Sequence, residues 1–187
     1  MRTYPFIESG PYCCFAASLE AVLKRHGISH ITQYDIANHL GLVIFESDKE
    51  NIPQSLTNLS YTTEPQSVGI HIHKDTLAQL FRHYTLPFQE SYISWQEIAD
   101  WNFEEILRNV SPDDDVILYF DIGRLYKEEK NYGIGHTGLL VSVDDSSMVE
   151  VLNPGPRFFG MAKFPADALV EAIKARHGGL SIIHRVV

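Results

Sequence analysis

Cysteine is scarce in this sequence: among 187 residues there are only two, the neighbours Cys13 and Cys14. Adjacent cysteines cannot join distant parts of a fold, and they can pair with each other only in a strained ring. A framework of disulfides is therefore excluded as the basis of the fold. The scarcity raises the question of whether one of the two thiols has a chemical function.

Basic residues and long apolar runs are also lacking. The 15 lysines and arginines stand against 24 acidic residues, which gives a formal charge of −9 and a pI near 5.4. Nucleic-acid binding generally requires the opposite balance. No apolar run approaches the roughly 20 residues of a membrane-spanning helix, and the first five residues lack the apolar centre of a secretion signal. We expect a soluble, cytoplasmic protein without nucleic-acid or membrane partners, and the acidic composition favours a neutral or basic substrate.

What is present is enough apolar material for a core, since 44% of the residues are hydrophobic. A chain of this length is about one domain, and we predict a single domain over residues 1–187. Apolar periodicity predicts helices over residues 14–26, 33–39, 74–84, 95–110 and 165–176. Runs of β-branched and aliphatic residues predict strands over residues 116–120, 137–143, 148–152 and 180–186. Helices first and an antiparallel sheet afterwards indicate an α+β fold.

Cys14 stands at the predicted start of the first long helix, and Gly27 is placed to end that helix as a C′ residue. Unpaired backbone N–H groups and the positive end of the helix dipole favour a thiolate at this position. A single cysteine near a helix start is more often a packing residue than a catalytic one. The interpretation as a nucleophile therefore depends on finding a base.

His136 and Asn153 flank a predicted hairpin with an Asp-Asp-Ser-Ser turn. If this turn is centred between Asp144 and Asp145, antiparallel pairing places His136 directly opposite Asn153. An imidazole that takes a proton from a nucleophile needs a group that holds its tautomer, and a cross-strand amide is suited to that task. A one-residue shift in the turn would break the direct opposition, so the hypothesis depends on the register.

Two stretches resemble the bacteriocin-processing (double-glycine leader) peptidases and their papain-like relatives. Residues 8–27 (ESGPYCCFAASLEAVLKRHG) are similar to the opening motif of that family, in which a Gln stands six residues before a nucleophilic Cys and the following helix ends in glycine. The Gly135-His136 strand, followed by Asn153-Pro154, is similar to the family's His and Asp-Pro elements. The middle of the chain carries no match.

This resemblance implies a papain-like cysteine proteinase fold, with a helical N-terminal half that holds the nucleophile and an antiparallel sheet in the C-terminal half. It also implies roles for three residues. Cys14, rather than Cys13, would be the nucleophile, His136 the base and Asn153 the orienting residue. The family more commonly has Asp at the third position, although papain-type enzymes use Asn.

The resemblance assigns Glu8, Phe15 and Gly135 to oxyanion or substrate binding. Glu8 departs from the family's oxyanion-binding Gln, and an ionised carboxylate offers only acceptors to an oxygen that develops negative charge. The backbone N–H of Cys14 could still donate. Phe15 replaces the small glycine that commonly follows the nucleophile, which would crowd the pocket or shape it for another acyl group.

Other candidate sites are less specific. His71 and His73 are two residues apart and could face one side of a strand like metal ligands, but solvated histidines are the better interpretation. The run from Asp113 to Asp115 is interpreted as a charged turn before a strand rather than a cation site. We assign no metal and no cofactor.

Aromatic residues of the middle segment could line a substrate groove, although such residues at helical spacing usually belong to the core. These residues are Tyr92, Trp95, Trp101 and Phe103. We expect them to be core residues.

The sequence as a whole favours a cysteine peptidase or amidase that acts on a peptide or small acyl substrate through an acyl-enzyme on Cys14. Two alternatives remain open. An acyltransferase would use the same Cys-His-Asn site, and a catalytically degraded binding module would keep only the scaffold.

Overall fold

The computed structural model describes residues 1–73, 75–100, 102–155 and 158–186, without the side chains of residues 99 and 100. Its helices are α1 (Cys14–Arg25), α2 (Gln33–Leu40), α3 (Thr76–His83), α4 (Trp95–Asp100), α5 (Phe103–Asn109), α6 (Ile122–Tyr126) and α7 (Ala166–Arg176). Its strands are β1 (Leu42–Phe45), β2 (Leu59–Thr62), β3 (Phe88–Ser94), β4 (Asp115–Asp121), β5 (Gly135–Val143), β6 (Met148–Asn153), β7 (Gly160–Pro165) and β8 (Gly179–Arg185). Among these residues, no helix combines the length and the apolar character that crossing a membrane requires.

An antiparallel sheet in the order β3-β8-β4-β5-β6-β7 separates two layers of helices. Successive residues of a strand point to opposite faces. On β4, Ile117 and Tyr119 pack with α1, α2 and α3, whereas Val116, Leu118 and Phe120 pack with α4, α5, α6 and α7. Helices packed on an antiparallel sheet confirm the predicted α+β class.

Helix α1 forms where the apolar period predicts it. Its predicted apolar face is buried, and its C-terminus has the geometry of a Schellman motif. The N–H of Ile28 donates to the carbonyl of Leu23 at 2.9 Å, and the N–H of Gly27 donates to that of Lys24 at 3.0 Å. Gly27 has a φ of 81°, a backbone conformation that is costly for residues with a Cβ. The predicted role of Gly27 is confirmed.

The turn between β5 and β6 is a three-residue loop. It is not centred between Asp144 and Asp145, as the predicted pairing requires. Ser147 adopts a left-handed conformation with a φ of 62°, and its N–H donates to the carbonyl of Asp144 at 3.1 Å. This is the usual geometry of a three-residue hairpin loop. The Asp144 carboxylate accepts from the N–H groups of Ser146 and Met148, both at 3.0 Å, and so stabilises the loop.

The strand register changes accordingly. Leu139 pairs with Leu152, and extending this register places Gly138, not His136, opposite Asn153. The predicted direct opposition is therefore wrong, because the turn is off-centre and the ladder is irregular between residues 140 and 142. The displacement is two residues at this end of the hairpin. An even displacement keeps His136 and Asn153 on the same face of the sheet.

The segregation of helices and strands is less complete than predicted. The first half of the chain also contains β1 and β2, which pair in parallel where no strand was predicted, and β3 at one edge of the main sheet. The predicted helix over residues 95–110 is two helices, α4 and α5. Asn102 separates them, because its Oδ1 accepts from the N–H of Glu105 at 3.3 Å and caps α5.

The run from Asp113 to Asp115 is only partly the charged turn that the sequence predicts. Asp115 is the first residue of β4 and is fully buried. Its carboxylate pairs with the guanidinium of Arg25 and with Nε2 of His26, the latter at 2.7 Å. Residues 112–114 form the turn itself. The end of α1 is thus fixed to the start of β4 by a buried ion pair.

Candidate active site

Three predicted site residues meet at the N-terminal end of α1. Cys14 is the first residue of that helix, His136 the second residue of β5 and Asn153 the last residue of β6. The Cys14 thiol and the His136 ring are hydrogen-bonding partners. The Nε2 atom of His136 lies 2.8 Å from Oδ1 of Asn153. We call these three side chains the Cys-His-Asn row.

The contact between His136 and Asn153 is diagonal, because Gly138 is the residue across the ladder from Asn153. Gly138 lies across the ladder from Asn153, on the same face as His136. A Cβ at Gly138 would lie 2.6 Å from Cγ1 of Val151 and 3.3 Å from the carbonyl oxygen of Leu152. The position therefore has no room for a side chain.

The orientation of the Asn153 amide determines the tautomer of His136. The backbone N–H of Gly155, which can only donate, lies 2.9 Å from the same Asn153 atom that His136 contacts. That atom must be the carbonyl oxygen, so Nε2 of His136 carries the hydrogen and donates it. The other ring nitrogen, Nδ1, is left to exchange a proton with Cys14.

Tyr126 completes the support of this amide, and the sequence gives no signal for it. Nδ2 of Asn153 donates to the hydroxyl oxygen of Tyr126 at 3.2 Å. The Tyr126 ring stacks on that of Phe158, with centroids 3.9 Å apart and an angle of 15°. Burial raises the pKa of Tyr126, which keeps the hydroxyl neutral. Every polar atom of the Asn153 side chain thus has a partner, and the amide itself is buried.

The thiol of Cys14 is unusually acidic. Burial alone would raise its pKa, but the charge of His136 and hydrogen bonds from His136 and Thr137 outweigh burial and lower the pKa to about 7. Thr137 contributes both its hydroxyl and its backbone N–H. Thr137 follows His136 directly, and the sequence analysis did not single it out.

The pKa of His136 moves in the opposite direction. Burial would lower it, but the charge of Cys14 and the hydrogen bonds to Cys14 and Asn153 raise it. A lowered thiol pKa beside a raised imidazole pKa favours a thiolate and an imidazolium at neutral pH. Because the two groups are coupled, they titrate as a pair.

The two adjacent cysteines have different environments. Cys13 is fully buried in the core under α1, and burial, followed by the proximity of Cys14, raises its pKa to about 12. A buried neutral thiol is a poor nucleophile. The lowered pKa is found at Cys14, the cysteine that the resemblance assigns as the nucleophile.

The first turn of α1 leaves backbone donors free of side-chain caps. Its N-cap residue is Cys13, and no side-chain hydrogen bond caps the helix. The first N–H groups of a helix have no intrahelical partner. The N–H of Cys14 is one of these groups, so it is available next to the sulfur for an oxygen that develops negative charge.

Glu8 does not join this site. Its side chain is exposed, and its backbone carbonyl accepts from Nε2 of Gln33 at 3.0 Å. Oε1 of Gln33 in turn accepts from the N–H of Gly10 at 2.8 Å, so this glutamine holds the segment before Cys14 in place. Glu8 is also absent from the described lining of the cleft above the sulfur.

A cleft of about 340 Å³ lies above the Cys14 sulfur. Phe15 and Gly135 line it, as the sequence predicts for substrate-binding positions. Phe15 is only 2% exposed and packs against Tyr119, so it contributes to the floor of the cleft and to the core. Arg176, from the last turn of α7, lies directly against Gly135 and was not predicted.

The aromatic residues of the middle segment divide between core and cleft. Phe103 is buried in the core, as expected, whereas Tyr92 lines the cleft. Trp95 stacks on His177, with centroids 5.1 Å apart. Trp101 lies outside the described residues.

The two histidines considered as metal ligands do not form a cluster with further ligands. His71 lines the cleft, and its Nε2 donates to the carbonyl of Ser67 at 2.9 Å. His73 is exposed. Within the described ranges, no group of three or more His, Cys, Asp or Glu side chains is arranged to hold a metal ion.

The fold is similar to two solved structures. A protein from Bacillus anthracis, described as a C39-like peptidase, matches with a TM-score of 0.63 and 16% identity over 97% of this chain and 94% of that chain. A double glycine motif protease from an AMS/PCAT transporter, in complex with the leader peptide, matches with a TM-score of 0.48 and 12% identity over 99% of this chain and 93% of its own. No family model matches the sequence, and no curated protein matches it. The first likeness shows that the chain has the fold of a C39-like peptidase, which confirms the papain-like fold that the sequence resemblance implies.

Proposed function

We propose that this protein is a cysteine peptidase or amidase with Cys14 as the nucleophile, His136 as the general acid and base, and Asn153 as the residue that orients His136. The observation that carries this proposal is the Cys-His-Asn row itself. Three side chains from distant parts of the sequence meet in hydrogen-bonding contact, and two of them, Cys14 and His136, line a cleft. This is the arrangement of an activated thiol nucleophile.

The reaction follows from the proton positions. The Cys14 thiolate attacks the substrate carbonyl carbon, and the electron pair of the C=O bond moves to the oxygen. As the C–N bond breaks, Nδ1–H of His136 gives its proton to the leaving amine, and a thioester to Cys14 remains. His136 then takes a proton from water, whose oxygen attacks the thioester, and the sulfur leaves as a thiolate. Asn153 holds the ring in one tautomer throughout.

Backbone donors supply the oxyanion stabilisation in this proposal. The N–H of Cys14 is uncapped and adjacent to the sulfur, and it needs no reorganisation during the reaction. Loss of one oxyanion donor typically costs about 10²- to 10³-fold in rate. Because Glu8 is exposed, we expect Glu8→Gln to leave activity unchanged. A large gain of activity in this variant would instead support the degraded binding module.

Thiol alkylation tests the activated nucleophile. We expect iodoacetamide to label Cys14 at pH 7 faster than it labels free cysteine, and His136→Ala to abolish this advantage. Cys13→Ala is the matched control, because it removes the neighbouring buried thiol and should leave the labelling rate unchanged. Labelling of wild-type Cys14 no faster than free cysteine would refute the proposal.

A panel of peptide amides and thioesters, followed by intact-mass spectrometry, tests the reaction type. Hydrolysis predicts a transient acyl adduct on Cys14 that water releases. Transfer of the acyl group to an added amine, without net peptide cleavage, would identify an acyltransferase instead. A Cys14→Ala variant that still cleaves the same peptides would contradict the assigned nucleophile.

A further inference from the structure

The cleft has the opposite charge character to the chain. The whole sequence carries a formal charge of −9. The described lining of the cleft nevertheless contains no aspartate or glutamate. The Cys14 thiolate in it is balanced by the His136 imidazolium, and Arg176 adds a permanent positive charge. A concave surface with charge of one sign attracts ligands of the other sign. The local charge at the cleft is therefore a better guide to the substrate than the composition.

Arg176 lies beside the Cys-His-Asn row because residue 135 is a glycine. A Cβ at Gly135 would lie 2.4 Å from Nε of Arg176, so any larger residue would displace the guanidinium. Gly135 immediately precedes His136 on β5. One Nη2 hydrogen of Arg176 is donated to the carbonyl of Gln66 at 2.9 Å, which fixes the side chain over the cleft.

Among the described residues, no carboxylate pairs with the remaining donors of Arg176. Arg25 pairs with Asp115 and Arg108 with Glu104. Within the described part of the chain, no Asp or Glu oxygen lies within 4.0 Å of Arg176. A guanidinium has five N–H donors in a planar fork, and its best-matched partner is a carboxylate.

We propose that Arg176 binds a carboxylate of the substrate, so that the enzyme prefers peptides or acyl compounds that are anionic close to the bond to be cleaved. This inference rests on the proposed function and names its substrate class. It reverses the expectation of a neutral or basic substrate that the acidic composition gives. The carboxylate is either an acidic side chain or the C-terminus of a short peptide, since both present the same group to the fork.

A pair of alkylating reagents tests the charge preference without a known substrate. Iodoacetate and iodoacetamide react with the same thiolate and differ in charge. The rate with iodoacetate divided by the rate with iodoacetamide therefore does not depend on the thiolate fraction, and it isolates the effect of the negative charge. In Arg176→Met we expect this ratio to fall about tenfold, the lower end of the contribution of a charge-assisted hydrogen bond. Arg176→Lys should retain part of the preference for iodoacetate, because lysine keeps the positive charge but lacks the planar fork of guanidinium donors.

The matched control is Arg82→Met, which removes one positive charge from an exposed arginine of α3 outside the described cleft lining. This variant should keep the wild-type ratio. If both variants lower the ratio equally, the preference comes from net charge and the assignment to Arg176 is overturned. Circular dichroism and thermal melting establish that both variants fold.

Matched peptides then locate the carboxylate. A pair that differs only in Glu or Gln next to the cleaved bond tests a side chain, and a free or amidated C-terminus tests a terminal carboxylate. Arg176→Met should raise KM for the anionic member of the relevant pair by about tenfold and leave the neutral member near its wild-type KM. Equal losses for both members would show that Arg176 only ties α7 to Gln66, which overturns the inference.

The two proposals fail in different ways. If iodoacetamide labels wild-type Cys14 no faster than a free thiol, the proposed function itself is refuted. If that labelling is fast but the ratio of the two reagents does not change in Arg176→Met, the proposed function stands and only the anion preference is refuted.

Discussion

The acidity of Cys14 arises from two neighbours with separable contributions. His136 supplies charge and a hydrogen bond, and Thr137 supplies a hydroxyl and a backbone N–H. Both groups stabilise the thiolate, and burial opposes them. Because the thiol pKa is lowered to about 7, the reactive thiolate forms at a lower pH than that of an ordinary cysteine, about 8.5.

We therefore expect the alkylation rate of Cys14 to rise with pH around a midpoint near 7. In Thr137→Val the hydroxyl donor is lost while the backbone donor remains, and the midpoint should rise by about one unit. In His136→Ala burial becomes the main influence, so the midpoint should lie above that of a free thiol. A midpoint that stays at 7 in His136→Ala would contradict the charge interaction.

The proposed role of Asn153 is to orient His136, so the effect of a substitution should depend on whether the new side chain can accept a hydrogen bond from Nε2 of His136. Loss of a hydrogen bond to a charged group costs about 1.5–3 kcal/mol, and Asn153→Ala should lower kcat/KM about 10- to 150-fold. Asn153→Asp keeps the acceptor for Nε2 of His136 and should recover much of this loss. Tyr126→Phe removes only the outer hydrogen bond and should cost less than tenfold. A larger loss for Asn153→Asp than for Asn153→Ala would argue against the orienting role.

Helix α1 carries Cys14 at its start, and its end is determined by Gly27. Nothing lies within 4 Å of a Cβ at this residue, so a substitution there tests the backbone conformation alone. Gly27→Ala should lower the free energy of unfolding by about 1–2 kcal/mol, measured by urea denaturation. Gly27→Asn should cost less, because Asn tolerates the left-handed conformation. Equal costs would show that the Schellman geometry contributes little.

The elements that sequence reasoning identified are those with strong local signals. The period of α1 and the glycine after it specify that helix, and the aliphatic runs specify β4, β5, β6 and β8. The strands of the main sheet that it missed, β3 and β7, lie at the sheet edges with many exposed or half-buried positions, and their alternation of polar and apolar residues is weak. The meeting of His136 and Asn153 was predicted although the register was not, because the displacement was even.

Other parts of the site have no local signal at all. Tyr126 reaches Asn153 from α6, and Arg176 reaches Gly135 from α7 across the sheet. Such contacts depend on how the layers pack, and no spacing along the sequence encodes them. The exposure of Glu8 likewise follows from the loop that Gln33 holds, a contact over 25 residues.

Contacts with distant parts of the chain hold α1 at both ends. At its start, the N–H of Ser9 donates to the carbonyl of Pro154 at 2.9 Å, which ties the segment before Cys14 to the one after Asn153. At its end, Arg25 and His26 pair with the buried carboxylate of Asp115. The helix that carries the sulfur therefore cannot shift independently of the sheet that carries the imidazole.

Removing the buried carboxylate should destabilise the entire fold. Asp115→Asn leaves Arg25 without its carboxylate partner, and breaking a buried ion pair in this way costs about 3–5 kcal/mol. Asp113→Asn is the matched control, because Asp113 is exposed two residues earlier and should change stability by less than about 0.5 kcal/mol. Urea denaturation at pH 7 measures both. Equal stability of the two variants would show that the Asp115 pair is not a main anchor.

The burial of Cys13 next to a reactive Cys14 gives the molecule an internal reporter. With residue 14 changed to alanine, the remaining sulfur is sealed beneath the helix and can react only when the layers come apart. The rate at which Cys13 is modified would then measure how often the native structure opens next to the Cys-His-Asn row. A ligand that binds in the cleft should slow the modification of Cys13 in proportion to the fraction of molecules that it occupies.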